Sequence, residues 1–191
     1  MTEQDTLAAK PRVLVVDDSR IVRALVRKHL ANDYDIVEEA DGEAAWRRLQ
    51  SDPSIQLLVS DLSMPQLDGM GLIRRLRECT TAQLRALPVI VISGEEDEAT
   101  RQQCVAAGAN DFITKSTDQT EMQARVKANL ELAATRRELE QAKALQAQTA
   151  TTDAATGAAT SHLLNLQLEQ ALALAQRHGG EVTLVLIEID H

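Results

Sequence analysis

Val59-Ser60-Asp61-Leu62-Ser63-Met64-Pro65 places a single aspartate, Asp61, directly after an apolar run. The run, Ile55 to Val59, predicts a buried strand, and Asp68-Gly69 leads the chain on into a helical pattern. A carboxylate at the end of a buried strand is costly unless other groups bind it. The rest of the chain must therefore supply partners for Asp61.

Three further sets of polar residues stand at or just beyond the ends of apolar runs. They are the acid pair Asp17-Asp18, the hydroxyl of Ser93 and the ammonium of Lys115. In open sheets of parallel strands, ligands bind beyond the carboxyl ends of the strands. The sequence therefore predicts one site, in which Asp61 carries the chemistry and the other groups assist it.

Strand and helix patterns alternate five times, with short links between them. The strands are predicted at Arg12 to Val16, Tyr34 to Val37, Ile55 to Ser60, Pro88 to Ser93 and Asp111 to Thr114. The first four helices follow at Arg20 to Leu30, Gly42 to Gln50, Gly69 to Glu78 and Glu98 to Ala107. Ser19 is placed to cap the first helix and Gly108 to end the fourth. This alternation predicts an α/β fold, a doubly wound parallel sheet of five strands with right-handed crossovers.

The segment from Asp118 to about Gln148 has no glycine or proline and is rich in strong helix formers. It predicts one long C-terminal helix of ~45 Å, at 1.5 Å per residue. Its apolar positions become sparse beyond Ala134. Leu132 and Leu139 lie near heptad spacing, which favours a stalk that pairs with a second copy, although the seam is weak. A solvated spacer helix is the alternative.

Beyond the long helix, residues 149–160 form an Ala/Thr-rich linker. Ser161 to His178 predicts an amphipathic helix, Gly179-Gly180 its end, and Glu181 to Asp190 a strand. One helix and one strand cannot bury their apolar faces alone, so this is an incomplete α/β fragment that needs more chain or a partner. We divide the chain into a disordered tail (1–10), a main domain (11–130), a helical stalk (131–150) and this fragment (151–191).

The composition limits the classes of function. With 191 residues and 44% hydrophobic residues, the chain can build one full domain and part of another. Its net charge of −9 disfavours direct nucleic-acid binding, which needs a basic face. The N-terminus lacks a signal-peptide apolar region, and no apolar run approaches the ~18 residues of a membrane span. We expect a cytoplasmic protein with no membrane contact, in which Cys79 and Cys104 are reduced packing residues.

The three carboxylates of Asp17, Asp18 and Asp61 would repel one another unless a cation bound between them. Mg²⁺ is suited to this role because it binds carboxylates together with water and phosphoryl oxygens. A carboxylate can attack a phosphoryl group and become an acyl phosphate. The metal and Lys115 would neutralise the phosphoryl oxygens, and the Ser93 hydroxyl would donate to one of them.

Residues 12 to about 130 resemble the response-regulator receiver domain of two-component signalling. The matching stretches are Val15-Val16-Asp17-Asp18-Ser19, the Asp61 turn with Met64-Pro65-Asp68-Gly69, Ile92-Ser93-Gly94, Ala107-Gly108-Ala109 and Asp111-Phe112-Ile113-Thr114-Lys115. The resemblance implies a flavodoxin-like sheet of order 2-1-3-4-5. It also implies that Asp61 accepts a phosphoryl group from the phosphohistidine of a sensor histidine kinase or phosphotransfer protein.

The same resemblance assigns roles to the other site residues. Asp18, Asp61 and the backbone carbonyl of Ser63 would be direct Mg²⁺ ligands, with Asp17 nearby through water. Ser93 and Phe112 match the family's switch pair: when the phosphoryl group forms, Ser93 moves towards it and the aromatic ring turns inward. A homodimer through the receiver face and the long helix is the expected assembly.

One residue departs from the family pattern. The family usually has a proline, often with a cis peptide, after the lysine, and this chain has Ser116. A cis bond before a residue other than proline costs ~2.5–4 kcal/mol. We expect either a trans bond in a slightly different loop or a cis bond kept under strain.

The C-terminal fragment is similar to the opening of a diguanylate cyclase (GGDEF) domain. The resemblance rests on Asp153 to Gly157, the Leu-rich helix and Leu186 to Asp190. Departures from the family's usual residues occur at Ala155, Ala158, Thr160, Ser161, His162 and Glu188, the last at the first metal-binding aspartate. The signature loop would lie beyond residue 191, so we expect this chain not to be an enzyme. A cyclic-di-GMP-related output domain, active or degenerate, would follow.

Two other classes fit the sequence less well. A phosphatase of the haloacid-dehalogenase kind needs an Asp-x-Asp arrangement after its first strand, and Asp17-Asp18 are adjacent instead. A flavodoxin-like cofactor binder needs a phosphate loop rich in Gly, Ser and Thr, whereas the acid pair would repel a phosphate without a metal.

Overall fold

A computed structural model describes residues 10–94, 98–149, 151–153 and 156–185 of the chain. The strands are β1 (Arg12–Val16), β2 (Asp35–Glu39), β3 (Ile55–Asp61), β4 (Val89–Ser93) and β5 (Asp111–Thr114). The helices are α1 (Arg20–Leu30), α2 (Gly42–Ser51), α3 (Gly69–Glu78), α4 (Ala82–Arg85), α5 (Glu98–Ala107), α6 (Gln119–Thr149) and α7 (Ser161–His178). None of the described helices is both long enough and apolar enough to cross a membrane.

The five strands form one parallel sheet of order β2-β1-β3-β4-β5, which confirms the predicted fold. Apolar side chains on the two faces of the sheet belong to two separate cores. Helices α2, α3 and α5 contribute to one core, and α1 and α6 contribute to the other. The continuous apolar runs of the central strands follow from this arrangement, because a strand covered on both faces has no solvated side.

Two elements of the main domain differ from the prediction by more than one boundary residue. Strand β2 runs to Glu39 rather than ending at Val37, because the carboxylates of Glu38 and Glu39 form ion pairs with arginines of the neighbouring helices. Polar residues at this sheet edge are therefore stabilised without an apolar pattern. The four-residue helix α4 was not predicted, since one turn is too short to show a helical period.

The turn between β3 and α3 is tightly packed. The Asp68 carboxylate accepts a hydrogen bond from the Gly71 backbone N–H at 2.6 Å and caps α3. At Gly69, a Cβ atom would lie 2.1 Å from the Asp61 carbonyl oxygen. Only glycine therefore allows α3 to begin this close to the end of β3. This close packing fixes the position of the Asp61 backbone at the end of β3.

Helix α6 is continuous over 31 residues, as the sequence predicted for a long helix. Its first turns pack on the sheet, where Met122 and Val126 are buried, while Leu139 and Leu145 are exposed. Contacts divide the chain into two compact units, Met1–Arg136 and Arg137–His191.

In the second unit, Asp153 accepts hydrogen bonds from the backbone N–H and the hydroxyl of Thr156. Gly179, with φ of 71°, ends α7 at the residue predicted from the sequence. The strand predicted from Glu181 to Asp190 is absent over residues 181–185, and residues 186–191 lie outside the described residues. A strand needs a neighbour to accept its hydrogen bonds, and the structure pairs none with residues 181–185. The predicted disordered tail likewise falls, except for its last residue, outside the described residues.

Candidate functional site

The predicted site residues lie at the carboxyl edge of the sheet. Asp17 and Asp18 follow β1, Asp61 ends β3, Ser93 ends β4, and Lys115 follows β5. Because β1, β3, β4 and β5 are consecutive in the sheet, these residues come from four adjacent strands. The sheet topology therefore brings together residues that are spread over 99 positions of the sequence, from Asp17 to Lys115.

Three carboxylates form the centre of this site. One oxygen each from Asp17, Asp18 and Asp61 lies within 4.8 Å of the others. Asp17 and Asp61 are buried, at 0% and 5% exposure, while Asp18 is exposed. The carboxylates of Asp17 and Asp61 are thus buried next to each other, whereas Asp18 is exposed to solvent.

The Lys115 ammonium lies between the two buried carboxylates. Its Nζ donates a hydrogen bond to Asp61 Oδ2 at 3.0 Å and forms an ion pair with Asp17 Oδ2 at 2.9 Å. The Lys115 backbone N–H donates to the Ser93 carbonyl at 2.8 Å, which anchors the lysine to the end of β4. The single positive charge of Lys115 therefore neutralises only part of the two negative charges of Asp17 and Asp61.

The raised pKa of Asp61 shows that Lys115 does not fully neutralise the buried carboxylates. Burial raises the pKa of Asp61, and the negative charge of Asp17 raises it further, against the opposing effect of Lys115 and the Leu62 backbone N–H. The pKa of Lys115 is lowered by burial but raised more by its bonds to Asp17 and Asp61, so it rises overall. The lysine therefore remains a cation, and the carboxylates retain an excess of negative charge.

The donors of this site suit a small divalent cation. Asp17 Oδ1 accepts from the Ser19 backbone N–H and Asp61 Oδ1 from the Leu62 backbone N–H, both at 2.8 Å. Asp17 Oδ2 is buried and, apart from its ion pair with Lys115, has no hydrogen-bond partner within the described part of the chain. A buried carboxylate oxygen whose one described partner is an ammonium, among three clustered carboxylates, belongs to the oxygen donor set that Mg²⁺ prefers. The residues present therefore fit Mg²⁺.

The remaining predicted residues surround the cluster. Ser93 is 6% exposed and pairs in register with Thr114 of β5. Phe112 is buried in the same strand pair, opposite Val91. Ser63 lies two residues beyond β3 and its side chain is exposed. The structure therefore places all the predicted residues around one edge, and their roles in phosphoryl transfer stay predictions.

The loop after Lys115 adopts the first of the two predicted geometries. None of the described peptide bonds is cis. The Thr114 hydroxyl lies 2.8 Å from the Ser116 hydroxyl and 3.1 Å from the Thr117 hydroxyl, and Thr117 Oγ1 accepts from the Thr114 backbone N–H at 3.1 Å. Three hydroxyls therefore stabilise the loop where the family usually has a proline.

Sequence reasoning missed one residue in contact with the site. The Arg23 guanidinium donates to the backbone carbonyls of Asp17, at 2.6 Å, and Asp18, at 3.2 Å. An arginine on a surface helix carries no sign of this role in its own sequence context. Its position one turn after the acid pair was the only available signal.

Comparison with known proteins assigns the chain to a family. Residues 13–127 match the family model of the response regulator receiver domain, which covers more than half of the chain. The chain therefore belongs to this family and contains the receiver domain of a two-component response regulator. Receiver domains act as signalling switches rather than as enzymes, and they interact with sensor histidine kinases or phosphotransfer proteins.

Individual relatives agree with the family. Two-component response regulator ORR3 from Oryza sativa subsp. indica is 31% identical over 107 residues, 56% of this chain and 80% of that protein. The structure of chemotaxis response regulator CheY4 from Vibrio cholerae is similar in fold, with a TM-score of 0.58 and 24% identity over 63% of this chain and 99% of that one. The structure of a two-component system response regulator/GGDEF domain protein has a TM-score of 0.60 and 34% identity, covering 65% of this chain and 51% of that one.

Proposed function

We propose that this chain is a phosphorylation-dependent switch, which accepts a phosphoryl group on Asp61 from a sensor histidine kinase or a phosphotransfer protein and requires Mg²⁺. The observation that carries the proposal is the geometry at Asp61. Its carboxylate lies at the end of a central strand, hydrogen-bonded to Lys115 and within 4.8 Å of two further carboxylates. This set combines a nucleophile with positive charge for a phosphoryl group.

In the proposed reaction an Asp61 carboxylate oxygen attacks the phosphorus of a phosphohistidine. A P–O bond forms as the P–N bond breaks, and the imidazole of the donor leaves with the electron pair of that bond. Bound Mg²⁺, held directly by Asp18, Asp61 and the Ser63 carbonyl and through water by Asp17, would neutralise charge on the phosphoryl oxygens. Lys115 carries a positive charge at the same place, since its Nζ already lies 3.0 Å from Asp61 Oδ2.

The proposed response is a shift between two packings. The Ser93 hydroxyl bonds to the new phosphoryl group, and the space beside it admits the ring of Phe112. Both residues are buried at the edge next to Asp61, on neighbouring strands, which supports their coupling. The shift reaches α6 because Lys115 and the start of α6 are separated by only three residues.

The proposed output lies at the C-terminal end. We take residues 11–130 as the receiver, 131–150 as a stalk that pairs with a second copy, and 151–191 as a linker and the start of a cyclic-di-GMP-related domain, in the cytoplasm. Support comes from the exposed Leu132, Leu139 and Leu145 of α6. The name of one structural relative also combines a response regulator with a GGDEF domain.

The phosphoacceptor is tested with Asp61→Asn. Wild type incubated with acetyl phosphate and Mg²⁺ gains the mass of one phosphoryl group, and the variant gains none. Asp68→Asn is the matched control, because Asp68 is exposed, lies in the same turn, and asparagine also caps a helix. Wild type that stays unmodified, or an Asp61→Asn protein that is labelled as fully as wild type, overturns the assignment.

The output assembly is tested by light scattering. Wild type should increase in mass from one copy to two when beryllofluoride and Mg²⁺ are added, and Asp61→Asn should not respond. The Leu132→Ser, Leu139→Ser double variant should still bind beryllofluoride but remain a single copy. An unchanged mass of wild type at every concentration contradicts the stalk.

A further inference from the structure

Arg23 of α1 lies against the turn that carries the acid pair. Its side chain is only 15% exposed, although arginine on a surface helix is normally solvated. Nη1 donates to the carbonyls of Asp17 and Asp18, at 2.6 and 3.2 Å, and Nε lies 3.5 Å from Glu38 Oε2. The guanidinium therefore bridges the β1–α1 turn and the end of strand β2.

We infer that Arg23 is a positioning residue for cation binding, which directs the carboxylates of Asp17 and Asp18 into the site by fixing their backbone carbonyls. This inference rests on the proposed function of the site. A carbonyl and a side chain leave the same Cα, so a bond that fixes the peptide planes also limits where the Cβ points. The effect is greatest for Asp18, because its exposed side chain has little packing to orient it.

The positive charge of Arg23 and its positioning of the turn have opposite effects on cation binding. A guanidinium this close to the acid pair repels a divalent cation, so its removal should strengthen cation binding if charge dominates. If positioning dominates, its removal should weaken cation binding. The direction of the change therefore separates the two effects.

The helix supplies a matched control. Arg27 lies one turn further along α1 and contacts the same acceptor, with Nη1 3.2 Å from Glu38 Oε1, but its side chain is 61% exposed. None of the hydrogen bonds described for Arg27 reaches the acid pair. Arg27→Met therefore removes the same charge from the same helix and the same glutamate, and leaves the turn intact.

The test is Mg²⁺ titration by isothermal calorimetry of wild type, Arg23→Met, Arg23→Lys and Arg27→Met. Positioning predicts that Arg23→Met raises the Kd about tenfold, which corresponds to the loss of one charged hydrogen bond. Arg23→Lys should raise it about threefold, because an ammonium on a shorter stem lacks the planar fork with which the guanidinium contacts both carbonyls and Glu38 together. Arg27→Met should stay within about twofold of wild type, as expected for an exposed ion pair.

Acetyl phosphate adds an independent readout. The Mg²⁺ concentration for half-maximal phosphorylation of Arg23→Met should rise by the same factor as the Kd, while the rate at saturating Mg²⁺ changes less than twofold. If Arg23→Met does not fold, Arg23→Lys against Arg27→Met decides the question alone.

Three results have distinct meanings. Mg²⁺ binding by Arg23→Met that equals or exceeds wild type overturns the positioning role. An equal loss in Arg27→Met also overturns it, since helix stability or the shared contact with Glu38 would then be the cause. Wild type that binds no Mg²⁺ overturns the proposed function itself, and the inference with it.

Discussion

Replacing Asp61 by asparagine should raise the free energy of unfolding of the metal-free protein at neutral pH. The carboxylate is buried beside Asp17, and one lysine serves both acids. Asparagine has the same shape and retains an oxygen for the Leu62 backbone N–H. The substitution therefore removes a charge and preserves the packing.

The size of the gain follows from three terms. At an effective dielectric constant of ~20, Asp17 repels the Asp61 charge by at least ~3.5 kcal/mol at 4.8 Å, and Lys115 attracts it by ~5.5 kcal/mol at 3.0 Å. These charges together favour the ionised carboxylate by at most ~2 kcal/mol. Burial of the charge costs several kcal/mol and therefore exceeds that attraction. The expected gain is about 1–3 kcal/mol.

The gain must depend on pH in one direction. The pKa of folded Asp61 is raised above its unfolded value near ~3.9. Below about pH 4 the carboxyl is neutral in both states, so it costs nothing. The cost accumulates as the pH rises from the unfolded pKa to the raised folded pKa, where only the unfolded chain ionises, and it is complete above the folded pKa. Wild type should therefore match the variant at pH 4 and be less stable at pH 7.

Urea unfolding followed by Trp46 fluorescence measures this difference. Trp46 is the only tryptophan and belongs to the unit Met1–Arg136, so its signal reports that unit alone. Asp35→Asn is the control: Asp35 is half exposed in an ion pair with Arg12, and its loss should cost less than ~1 kcal/mol. The reasoning is refuted if Asp61→Asn is no more stable than wild type in EDTA at pH 7, or if a gain persists at pH 4.

Three further substitutions test the surroundings of the site. Arg77→Met should lower the free energy of unfolding by about 2–4 kcal/mol in urea, because Arg77 makes five hydrogen bonds, mostly to backbone carbonyls, whereas exposed Arg75→Met should cost less than ~1 kcal/mol. Gly69→Ala should cost about 1–3 kcal/mol in the same assay and slow phosphorylation by acetyl phosphate, because its Cβ would lie 2.1 Å from the Asp61 carbonyl oxygen. Thr117→Val should cost ~1 kcal/mol and reduce the initial rate of phosphorylation, because it removes the hydroxyl that fixes the loop after Lys115.

The sheet and its edge could be predicted because the same residues determine both. A parallel strand covered on both faces must be apolar throughout, so each strand is visible as a short apolar run. The charged or hydroxyl residues at or just beyond the end of each run must then lie at the carboxyl edge. Asp17, Asp61, Ser93 and Lys115 could therefore be located before any contact was known.

What could not be predicted are contacts that leave no local pattern. Arg23 reaches back to a turn, and Arg77 donates to carbonyls 31 positions away at Gly108. A basic residue on a helix looks the same whether it points to water or to a carbonyl. The pKa of Arg77 is lowered by its burial, a consequence of tertiary packing that no composition indicates. The choice between a trans and a cis peptide bond before Ser116 could not be predicted either, because the loop is stabilised by contacts among the hydroxyls of Thr114, Ser116 and Thr117.

The connection from the site to α6 is short and fixed at two points. Asp118 caps α6 through a hydrogen bond from the Glu121 backbone N–H at 3.0 Å, three residues after Lys115. Further along, Arg125 forms an ion pair of 2.9 Å with Asp111, the first residue of the strand that carries Phe112. The start of α6 is thus bound both to the loop after Lys115 and to the strand that carries Phe112. A change of packing at either place must move α6 or break one of these bonds, and breaking the partly buried pair of Arg125 and Asp111 also removes two hydrogen bonds from Arg125 to the Asp111 carboxylate. The geometry therefore favours movement of the helix over local adjustment as the response to the proposed phosphorylation.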